Sequence, residues 1–483
     1  MSLEVAIVLA AGEGTRMKSH RSKVLFEIAG KSIIEHVIAA VTPLHPAQLR
    51  VVVGAHRQAV EEHLAHIAPA AVAIFQAERN GTGHAVQIAL AEITGDGVVL
   101  ILAGDTPLLT SATLSEFLIA HKASSDSVSV LTALLPDPFG YGRILRDETG
   151  ALARIVEERD ADDEIKLVEE VNTGVYLFEL PALRAAITQL TTANSQGELY
   201  LTDVISVINA TGGTASAILS NDYAETLGIN DRAQLAECAA LMRERINDHH
   251  MKAGVTLIDP TTTWIDSDVT IEADVVIHPG STLTGESYIS AGAIIGPRTT
   301  LNNVFVGVDA SVIESNCSHS EIGDRATVGP YTFLRAGSKI GSDAKAGAYV
   351  EIKNSTVGER SKVPHLSYVG DATIGSGTNI GAAAVFVNYD GVVKHQIIIG
   401  DDVRIGSDTM LVAPLSVGDG AYTAAGSVIT EDVPAGAMGV GRARQRNILG
   451  WVLRKRPGTN SAKSAEKAGA VDSGSSSANG AKI

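Results

Sequence analysis

The sequence predicts two architectures in series: an α/β domain on a mostly parallel sheet, followed by a parallel β-solenoid of hexapeptide coils. Three observations carry this. Seven aliphatic residues, Ile265, Ile271, Ile277, Leu283, Ile289, Ile295 and Leu301, stand six positions apart. A six-residue period fits neither a helix at about 3.6 nor a single strand at about 2, so it needs a repeating unit of short strand plus turn. Residues 1 to about 228 instead alternate apolar strand-like runs with helical patterns, as in a sheet flanked by helices. The length of 483 residues also exceeds what one hydrophobic core usually supports.

In chain order, the clearest strands of the first part are Val5 to Leu9, Leu49 to Val53, Val98 to Leu102 and Ser127 to Ala133. Ligands of such sheets bind at the carboxyl ends of the strands, and two of these strands run straight into loops with chemical content. From Asp231 to about Met251 the residues favour helix, with Leu235, Cys238, Leu241 and Ile246 on one face and Gly254 ending it. The six-residue ladder then occupies the chain and resumes after each interruption: Ile322 to Ile352, Val357 to Val369, Ile374 and Ile380, and Ile399 to Val417. The resulting units are 1–228, a linker helix at 229–252, a solenoid at 253–456 and a tail at 457–483. The tail is Ser, Ala, Gly and Lys with little to bury and is expected to be disordered.

The composition narrows the function. Acidic residues outnumber basic ones 55 to 38, for a net charge of −17, which argues against nonspecific binding to nucleic acid or anionic membrane. A phosphate ligand must therefore meet local basic residues. The two cysteines, Cys238 and Cys317, lie in no metal-ligand spacing and read as packed thiols. The first apolar run, Val5 to Ala11, is too short to span a bilayer and ends in a glycine loop rather than a cleavage site; the expected location is the cytoplasm.

Leu9-Ala10-Ala11-Gly12-Glu13-Gly14-Thr15-Arg16-Met17 follows the first strand and precedes a basic stretch ending at Lys23. Its glycines let backbone N–H groups approach a polyphosphate. It is not a Walker loop, since no Gly-Lys-Ser/Thr follows, and Met17 replaces the third glycine of the dinucleotide fingerprint. Gly12-x-Gly14 alone also fits a tight strand-to-helix turn. With the downstream Lys23-Val24-Leu25, however, the run resembles the signature of sugar-nucleotide pyrophosphorylases. Gln76-Ala-Glu-x-x-Gly81-Thr82-Gly-His-Ala, Gly104-Asp105-x-Pro-Leu, Gly140-Tyr-Gly142-Arg, Ile155-Val-Glu157, Asn172-Thr-Gly and Gln196-Gly-Glu-x-Tyr-x-Thr-Asp203 follow in order. Joined to a hexapeptide solenoid, the series resembles the bifunctional N-acetylglucosamine-1-phosphate uridylyltransferase and glucosamine-1-phosphate N-acetyltransferase family, from residue 3 to about 452.

That resemblance implies an α/β nucleotidyltransferase domain of Rossmann-like type and a left-handed β-helix. It implies two reactions: acetyl transfer from acetyl-CoA to glucosamine-1-phosphate, then uridylyl transfer from UTP, yielding UDP-N-acetylglucosamine for cell-wall precursors. Leu9, Ala10, Ala11, Gly12 and Gln76 would hold uracil and ribose, with Gly81 and Thr82 completing the base pocket. Gly142, Glu157 and Asn172 would hold the sugar, and Asp105 with Asn230 would hold Mg²⁺. A carboxylate at a strand end suits a hard, oxygen-seeking ion that keeps most of its waters, although a lone Asp there is as readily a helix cap. The sugar phosphate would attack the α-phosphorus of UTP in line, with no protein nucleophile, so that Mg²⁺, Arg16 and Lys23 supply positioning and charge neutralisation. One departure stands out: many relatives have Leu-Pro before the lysine, where this chain has Arg21-Ser22. This loosens the constraint on the backbone at Lys23.

In the solenoid, the interruptions collect the polar chemistry. Pro364-His365-Leu366-Ser367-Tyr368-Val369-Gly370-Asp371 breaks one coil, and Val387 to Ile397 projects as a loop bearing Asn388, Tyr389 and Lys394. A solitary histidine is usually a satisfied structural residue, but His365 matches the family's general base. An imidazole, with an ordinary pKa of about 6.5, suits proton removal from the sugar amine. The resemblance assigns Ala382 N–H to the developing oxyanion. It assigns Arg335, Lys353, Tyr368, Asn379, Asn388, Tyr389 and Lys394 to glucosamine-1-phosphate, Arg and Lys suiting the phosphate dianion. Ala382, Asn388, Tyr389, Ser407, Ala425 and Arg442 match coenzyme A positions, and Trp451 would cover that site from a neighbouring chain of a homotrimer. Ala382-Ala383-Ala384 departs from the Gly-Ala-Gly of many relatives. Two other readings stay open on sequence alone: a glucose-type nucleotidyltransferase with a regulatory solenoid, and a trimeric scaffold or hexapeptide carbonic anhydrase using His319, His365 and His395.

Overall fold

The computed structural model describes residues 3–471. Its first part runs β1 (Leu3–Ala10), β2 (Glu27–Ile28), β3 (Lys31–Ser32), α1 (Ile33–Val41), β4 (Gln48–Val53), α2 (Arg57–Ile67), β5 (Val72–Phe75), α3 (Thr82–Leu90), β6 (Val98–Ala103) and α4 (Ser111–Ser124). There follow β7 (Val128–Leu134), β8 (Arg143–Arg146), β9 (Leu152–Val156), β10 (Glu170–Glu179), α5 (Leu180–Ile187), α6 (Asp203–Ala210) and β11 (Ala215–Leu219). Apart from the β2–β3 hairpin, these strands form one sheet of order β11-β7-β10-β6-β1-β4-β5, with the β8–β9 hairpin attached to β10. The four strands expected from sequence are all present, and β1 pairs in parallel with β4 and β6. Only β10 runs antiparallel within the main path, against β6 and β7. Its first residues therefore lie beside the carboxyl ends of its neighbours, which brings Asn172 to the same edge as the glycine loop. Apolar clusters cover both faces, one centred on Val5, Ile7 and Phe178, the other on Ala6, Val8 and Leu177.

The helix α7 (Arg232–Lys252) begins at Asp231, whose carboxylate accepts from Ala233 and Gln234 N–H, and it ends before Gly254, at φ +99°. Its buried positions are Cys238, Met242, Asn247 and His250. The expected stripe is present, with Cys238 buried and Leu235, Leu241 and Ile246 half-buried against apolar neighbours, and Asn247 and His250 extend the buried face because the helix is clamped between two partners. Cys238 and Met242 close an apolar cluster with Phe26, Ile28 and Leu108 of the first domain, and Asn247 Nδ2 donates to the carbonyls of Pro260 and Thr263 in the first coil. The lobes also touch directly, through Lys31 Nζ to Asp268 at 2.5 Å and Ser267 N–H to the Ala29 carbonyl.

From Thr256 onward the chain coils as a left-handed parallel β-helix. Ile277 stacks on Ile295 and Leu283 on Leu301, so three hexapeptides make one coil. All seven residues of the ladder are buried, as are the resumed rungs from Ile322 to Val417. Each fully buried aliphatic rung contributes about 1.5–3 kcal/mol of transfer free energy. Between Leu301 and Ile322 the ladder does not stop: Val306, Val312 and Cys317 are its rungs, but some turns there are one residue shorter. At the projecting loop the offset between stacked residues rises from 18 to 25, as in Ile374 on Ile399. That insertion leaves the rungs on either side in register.

The expected structureless tail is corrected over its first part. A helix, α8 (Trp451–Lys455), precedes it, and α9 (Asn460–Lys467) forms within it, with Thr459 capping Ala462 N–H and Ala462 buried. Scarcity of apolar residues forbids a core, but Ala, Lys and Glu still favour helix when a cap starts one. Residues 472–483 of the expected tail lie outside the described residues.

Candidate functional sites

The first candidate site is a cavity of about 440 Å³ at the carboxyl edge of the sheet. Leu9 and Ala10 end β1, Gln76 follows β5, Asp105 follows β6 and Glu157 follows β9. Leu9, Ala10, Ala11, Gly12, Lys23, Gln76, Gly81, Thr82, Asp105, Glu157 and Asn172 all line it, so the sequence-derived residues converge on one concavity. Glycine is required where the loop folds tightest. Gly14 sits at φ +62°, and a Cβ there would stand 2.7 Å from Lys23 Cβ. Gly81, at φ +99°, lies where a Cβ would meet the Leu199 carbonyl at 2.4 Å. Gln76 Nε2 donates to the Gly81 carbonyl at 3.2 Å, and Thr82 Oγ1 accepts from Leu201 N–H. These bonds fix the floor of the cavity.

Lys23 Nζ lies 2.5 Å from Asp105 Oδ2 and 3.2 Å from Asn230 Oδ1. Asn230 reaches this point because Ile229 N–H donates to the Asp105 carbonyl at 2.9 Å. The two residues assigned to a divalent cation thus converge, far apart in sequence, on one positive charge. A carboxylate and a neutral amide oxygen form an oxygen-only donor pair that fits a hard cation retaining several waters. No cluster of three or more His, Cys, Asp or Glu side chains able to hold a metal occurs among the described residues. Ser22, in place of the family proline, has φ −56° and ψ 139°. A proline adopts the same φ, so Ser22 holds the backbone before Lys23 in a conformation that proline would also take.

Toward the sugar end, Asn172 N–H donates to the Gly142 carbonyl at 2.8 Å, and Asn172 Nδ2 to Tyr176 Oη at 2.7 Å. Gly142 does not line the cavity itself, but a Cβ there would stand 3.5 Å from Glu157 Oε2. Burial pushes the Glu157 carboxyl above its usual range, against a hydrogen bond from Thr202 Oγ1 at 3.1 Å. Arg16 is exposed on a short 3₁₀ turn outside the cavity lining. Sequence reasoning missed Arg79, which pairs with Glu13 at 2.6 Å and lines the cavity with it, as do Tyr176, Glu198 and Thr202. Glu198 and Thr202 lie inside the quoted Gln196–Asp203 motif and were legible there. Arg79 and Tyr176 carried no such signal.

The second candidate site is an open edge of the solenoid. His365 ends the strand Lys362–His365 and is exposed; its carbonyl accepts from Ala383 N–H at 3.2 Å, which sets the Ala382–Ala383 corner beside it on the next coil. Gly381 N–H donates to the Ile405 carbonyl. Between these two, Ala382 N–H has no protein partner among the described residues, so it is free to meet an oxyanion. Ser407 and Ala425 stack below: Asp408 N–H donates to the Ala382 carbonyl and Gly426 N–H to that of Ser407. Of the two alanines that depart from the family pattern, Ala382 and Ala384, only Ala384 is fully buried; its methyl fills the coil interior.

One strand further on, the cations gather. Arg335 and Lys353 begin successive corners, and the hairpin of the inserted loop returns Lys394 to Lys353. Asp390 shapes that hairpin, accepting from Val392 and Val393 N–H at 2.8 and 2.7 Å and from His395 at 2.8 Å. The neighbouring Lys353 ammonium holds Lys394 below the usual lysine range, and Arg335 adds to the effect. Lys353 itself is held above that range once Lys394 is an uncharged amine that can accept its hydrogen bond, and by the Asp371 carboxylate. Three crowded cations suit a phosphate dianion. Tyr368 spans the strand between His365 and this cluster: a Cβ on Gly370 would stand 2.4 Å from its hydroxyl and 2.6 Å from Asn388 Nδ2. Asn379 is not brought to the cluster. It belongs to another face, in register with Lys362 and Arg404. Tyr389, Arg442 and Trp451 are exposed on this edge and the segment after it. His319 contacts Ser318 and Asn303, and His395 contacts Asp390, so the three histidines of a carbonic-anhydrase reading do not converge.

Comparison with known proteins follows this division. The MobA-like NTP transferase domain matches residues 6–167. The Bifunctional protein GlmU of Streptomyces griseus is 53% identical over 464 residues, covering 95% of this chain and 96% of the relative. That of Streptomyces avermitilis is 51% identical over 465 residues, with 96% of each chain covered. That of Corynebacterium efficiens is 50% identical over 472 residues, with 97% of each covered.

Proposed function

The chain belongs to the bifunctional GlmU family, and on that premise we propose that it makes UDP-N-acetylglucosamine by two reactions at two separate sites. At the solenoid edge, acetyl-CoA acetylates glucosamine-1-phosphate; in the cavity of the first domain, UTP uridylylates the product and pyrophosphate leaves. The observation that carries this reading is the full-length likeness to proteins named bifunctional. It covers the solenoid as well as the sheet domain, which speaks against a merely regulatory solenoid.

At the solenoid, Arg335, Lys353 and Lys394 hold the sugar phosphate, with Tyr368, Asn388 and Tyr389 beside it. The neutral His365 imidazole takes a proton from the amine as nitrogen attacks the thioester carbonyl. The N–C bond forms, the C–S bond breaks, Ala382 N–H stabilises the oxyanion, and the proton leaves with coenzyme A as its thiol. Ser407, Ala425 and Arg442 support the coenzyme. The exposure of this edge, the separate face of Asn379 and the open position of Trp451 support a homotrimer in which a neighbouring chain closes the site.

In the cavity, Leu9 to Gly12, Gln76, Gly81 and Thr82 seat the uridine, and Gly142, Glu157 and Asn172 the sugar. A phosphate oxygen of N-acetylglucosamine-1-phosphate attacks the α-phosphorus, and the bond to pyrophosphate breaks. Mg²⁺ bound by Asp105 and Asn230 would supply charge neutralisation on the triphosphate. Lys23 is placed to exchange its contact with Asp105 for one with phosphate, and Arg16 to cap the loop from outside. The units proposed are 1–228 for uridylyl transfer, 229–252 as linker and 253–456 for acetyl transfer. No helix among the described residues is long and apolar enough to cross a membrane, in keeping with a cytoplasmic enzyme. The test is to supply glucosamine-1-phosphate, acetyl-CoA, UTP and Mg²⁺ and follow free thiol and pyrophosphate: both must rise, and thiol without pyrophosphate, or the reverse, overturns the reading.

A further inference from the structure

Asp371 is absent from every role assigned above, yet it ties together three side chains of the solenoid edge. Its Oδ1 accepts from Asn354 Nδ2 at 2.7 Å, its Oδ2 from Asn388 Nδ2 at 2.6 Å, and Lys353 Nζ lies 3.5 Å from Oδ2. Its backbone is pinned from both neighbouring coils, N–H to the Lys353 carbonyl and carbonyl from Ile397 N–H. It sits at φ +51°, in the left-handed region that Asp and Asn tolerate better than other side chains. Its side chain is only 13% exposed.

These contacts decide which way Asn388 points. An amide has one acceptor end and one donor end; with Nδ2 committed to the carboxylate, Oδ1 must face the other way. Asn388 Oδ1 has no protein partner among the described residues, although Asn388 is 7% exposed. The Asn388 side chain lies beside the Tyr368 hydroxyl and, through Asp371, beside Lys353, at the place proposed for the amino sugar. We propose that Asp371 is the positioning residue of the acetyl-transfer site: it turns the Asn388 amide so that Oδ1 accepts a hydrogen bond from an N–H or O–H of the amino sugar, and it offsets the crowded cations that hold the phosphate.

The inference rests on the acetyltransferase reading and adds a residue to it. The charged groups facing the cluster are Arg335 and Glu351, paired at 2.9 Å, with Lys353, Lys394 and Asp371 itself. Burial alone would raise the Asp371 carboxyl, but the Asn354 and Asn388 amides and the Lys353 ammonium hold it below the usual range. It is therefore a fixed anion through the working pH range.

The test is Asp371→Asn in the full chain, assayed for thiol release and, with N-acetylglucosamine-1-phosphate supplied, for pyrophosphate release. Asn keeps the size and the backbone preference but offers one acceptor oxygen to two amide donors, so Asn354 or Asn388 must turn. The expected result is a fall of roughly 10–100-fold in kcat/KM for acetyl transfer, typical of a supporting residue behind a site, with pyrophosphate release unchanged. The alkaline limb of acetyl transfer should also move to lower pH, because the lysines lose their counter-charge. Adding Asn354→Gly frees the single oxygen for Asn388 and should recover part of kcat without restoring the limb. Unchanged acetyl transfer in Asp371→Asn overturns the inference, and so does a loss that Asn354→Gly leaves untouched with no shift of the limb. If Asp371→Asn does not fold, Asn388→Asp reports on the same contact: a second carboxylate should lower kcat/KM and move the limb to higher pH, and an unmoved limb overturns the inference. Wild-type protein without thiol release overturns the acetyltransferase reading itself, a distinct outcome.

Discussion

The two lobes build their sites in opposite ways. The first domain encloses its site: strand ends from across one sheet aim Leu9, Gln76, Asp105, Glu157 and Asn172 into a single cavity, and α7 brings Asn230 to it. The solenoid leaves its site open. His365, Ser407 and Arg442 are exposed along an edge, and Asn379 stands in the face that carries the His365 strand rather than the one that carries Lys353. The difference follows from topology. A sheet that reverses strand order makes a crevice within one chain, whereas the stacked coils offer only open grooves, such as the one lined by Tyr288, Phe305 and His319, and the His365 edge draws its shape from an insertion. The seven-residue insertion that carries Asn388 to Lys394 is the solenoid's own contribution; a neighbouring chain would supply the remainder.

Breaking either site alone should separate the lobes most clearly. His365→Ala is expected to lower acetyl transfer by about 10²–10⁴-fold, the usual worth of a general base, with pyrophosphate release unaffected; rate measurements on each half-reaction check this. Asp105→Ala should lower uridylyl transfer by roughly 10²-fold or more, by removing the charged ligand of the cation pair. Its acetyl transfer should be unchanged, and raising Mg²⁺ should recover part of the loss. Gly370→Ala sharpens the comparison inside the solenoid. Its methyl would press on the Tyr368 hydroxyl and Asn388 Nδ2, so a tenfold loss of acetyl transfer at a nearly unchanged melting temperature is expected, about 1.4 kcal/mol in the barrier.

A smaller effect concerns pH. Lys394 is held below the usual lysine range by Lys353. As pH rises it loses its proton before an ordinary lysine would, and the phosphate site weakens through that window. KM for glucosamine-1-phosphate should therefore climb at alkaline pH, and Lys394→Arg, which stays charged, should flatten the climb. Smallest is Ser22→Pro. Ser22 already has proline's φ, so the substitution should stabilise the chain by about 0.4–1 kcal/mol through the unfolded state without altering uridylyl transfer, as a denaturant titration would report.

Much of this was legible in the sequence, for a physical reason in each lobe. A six-residue ladder can be satisfied only by coils that bury one residue per turn, so Ile265 to Leu301 determined the solenoid. The glycine loop and Gly104-Asp105 marked strand ends, because only there does a sheet expose backbone to a phosphate. What escaped notice depended on spacing or on partners. Val306, Val312 and Cys317 were lost because shortened turns moved the rungs by one position. The expected stripe of α7 omitted Met242, Asn247 and His250 because two separate lobes share the helix, and the helix at Asn460–Lys467 needs a cap rather than a core. Asp371 closes the interruption that begins at Pro364, but its importance lies in Asn354 and Asn388, which sequence alone does not bring to it.

The central claim, that one chain carries two independent sites, is tested most directly by mixing. His365→Ala and Asp105→Ala chains are each incubated with glucosamine-1-phosphate, acetyl-CoA, UTP and Mg²⁺, alone and together, and UDP-N-acetylglucosamine is measured. The account predicts little product from either alone and ready formation from the mixture, since each supplies the step the other lacks. A mixture that stays inactive while both chains remain folded, or a single substitution that abolishes thiol and pyrophosphate release alike, would contradict it.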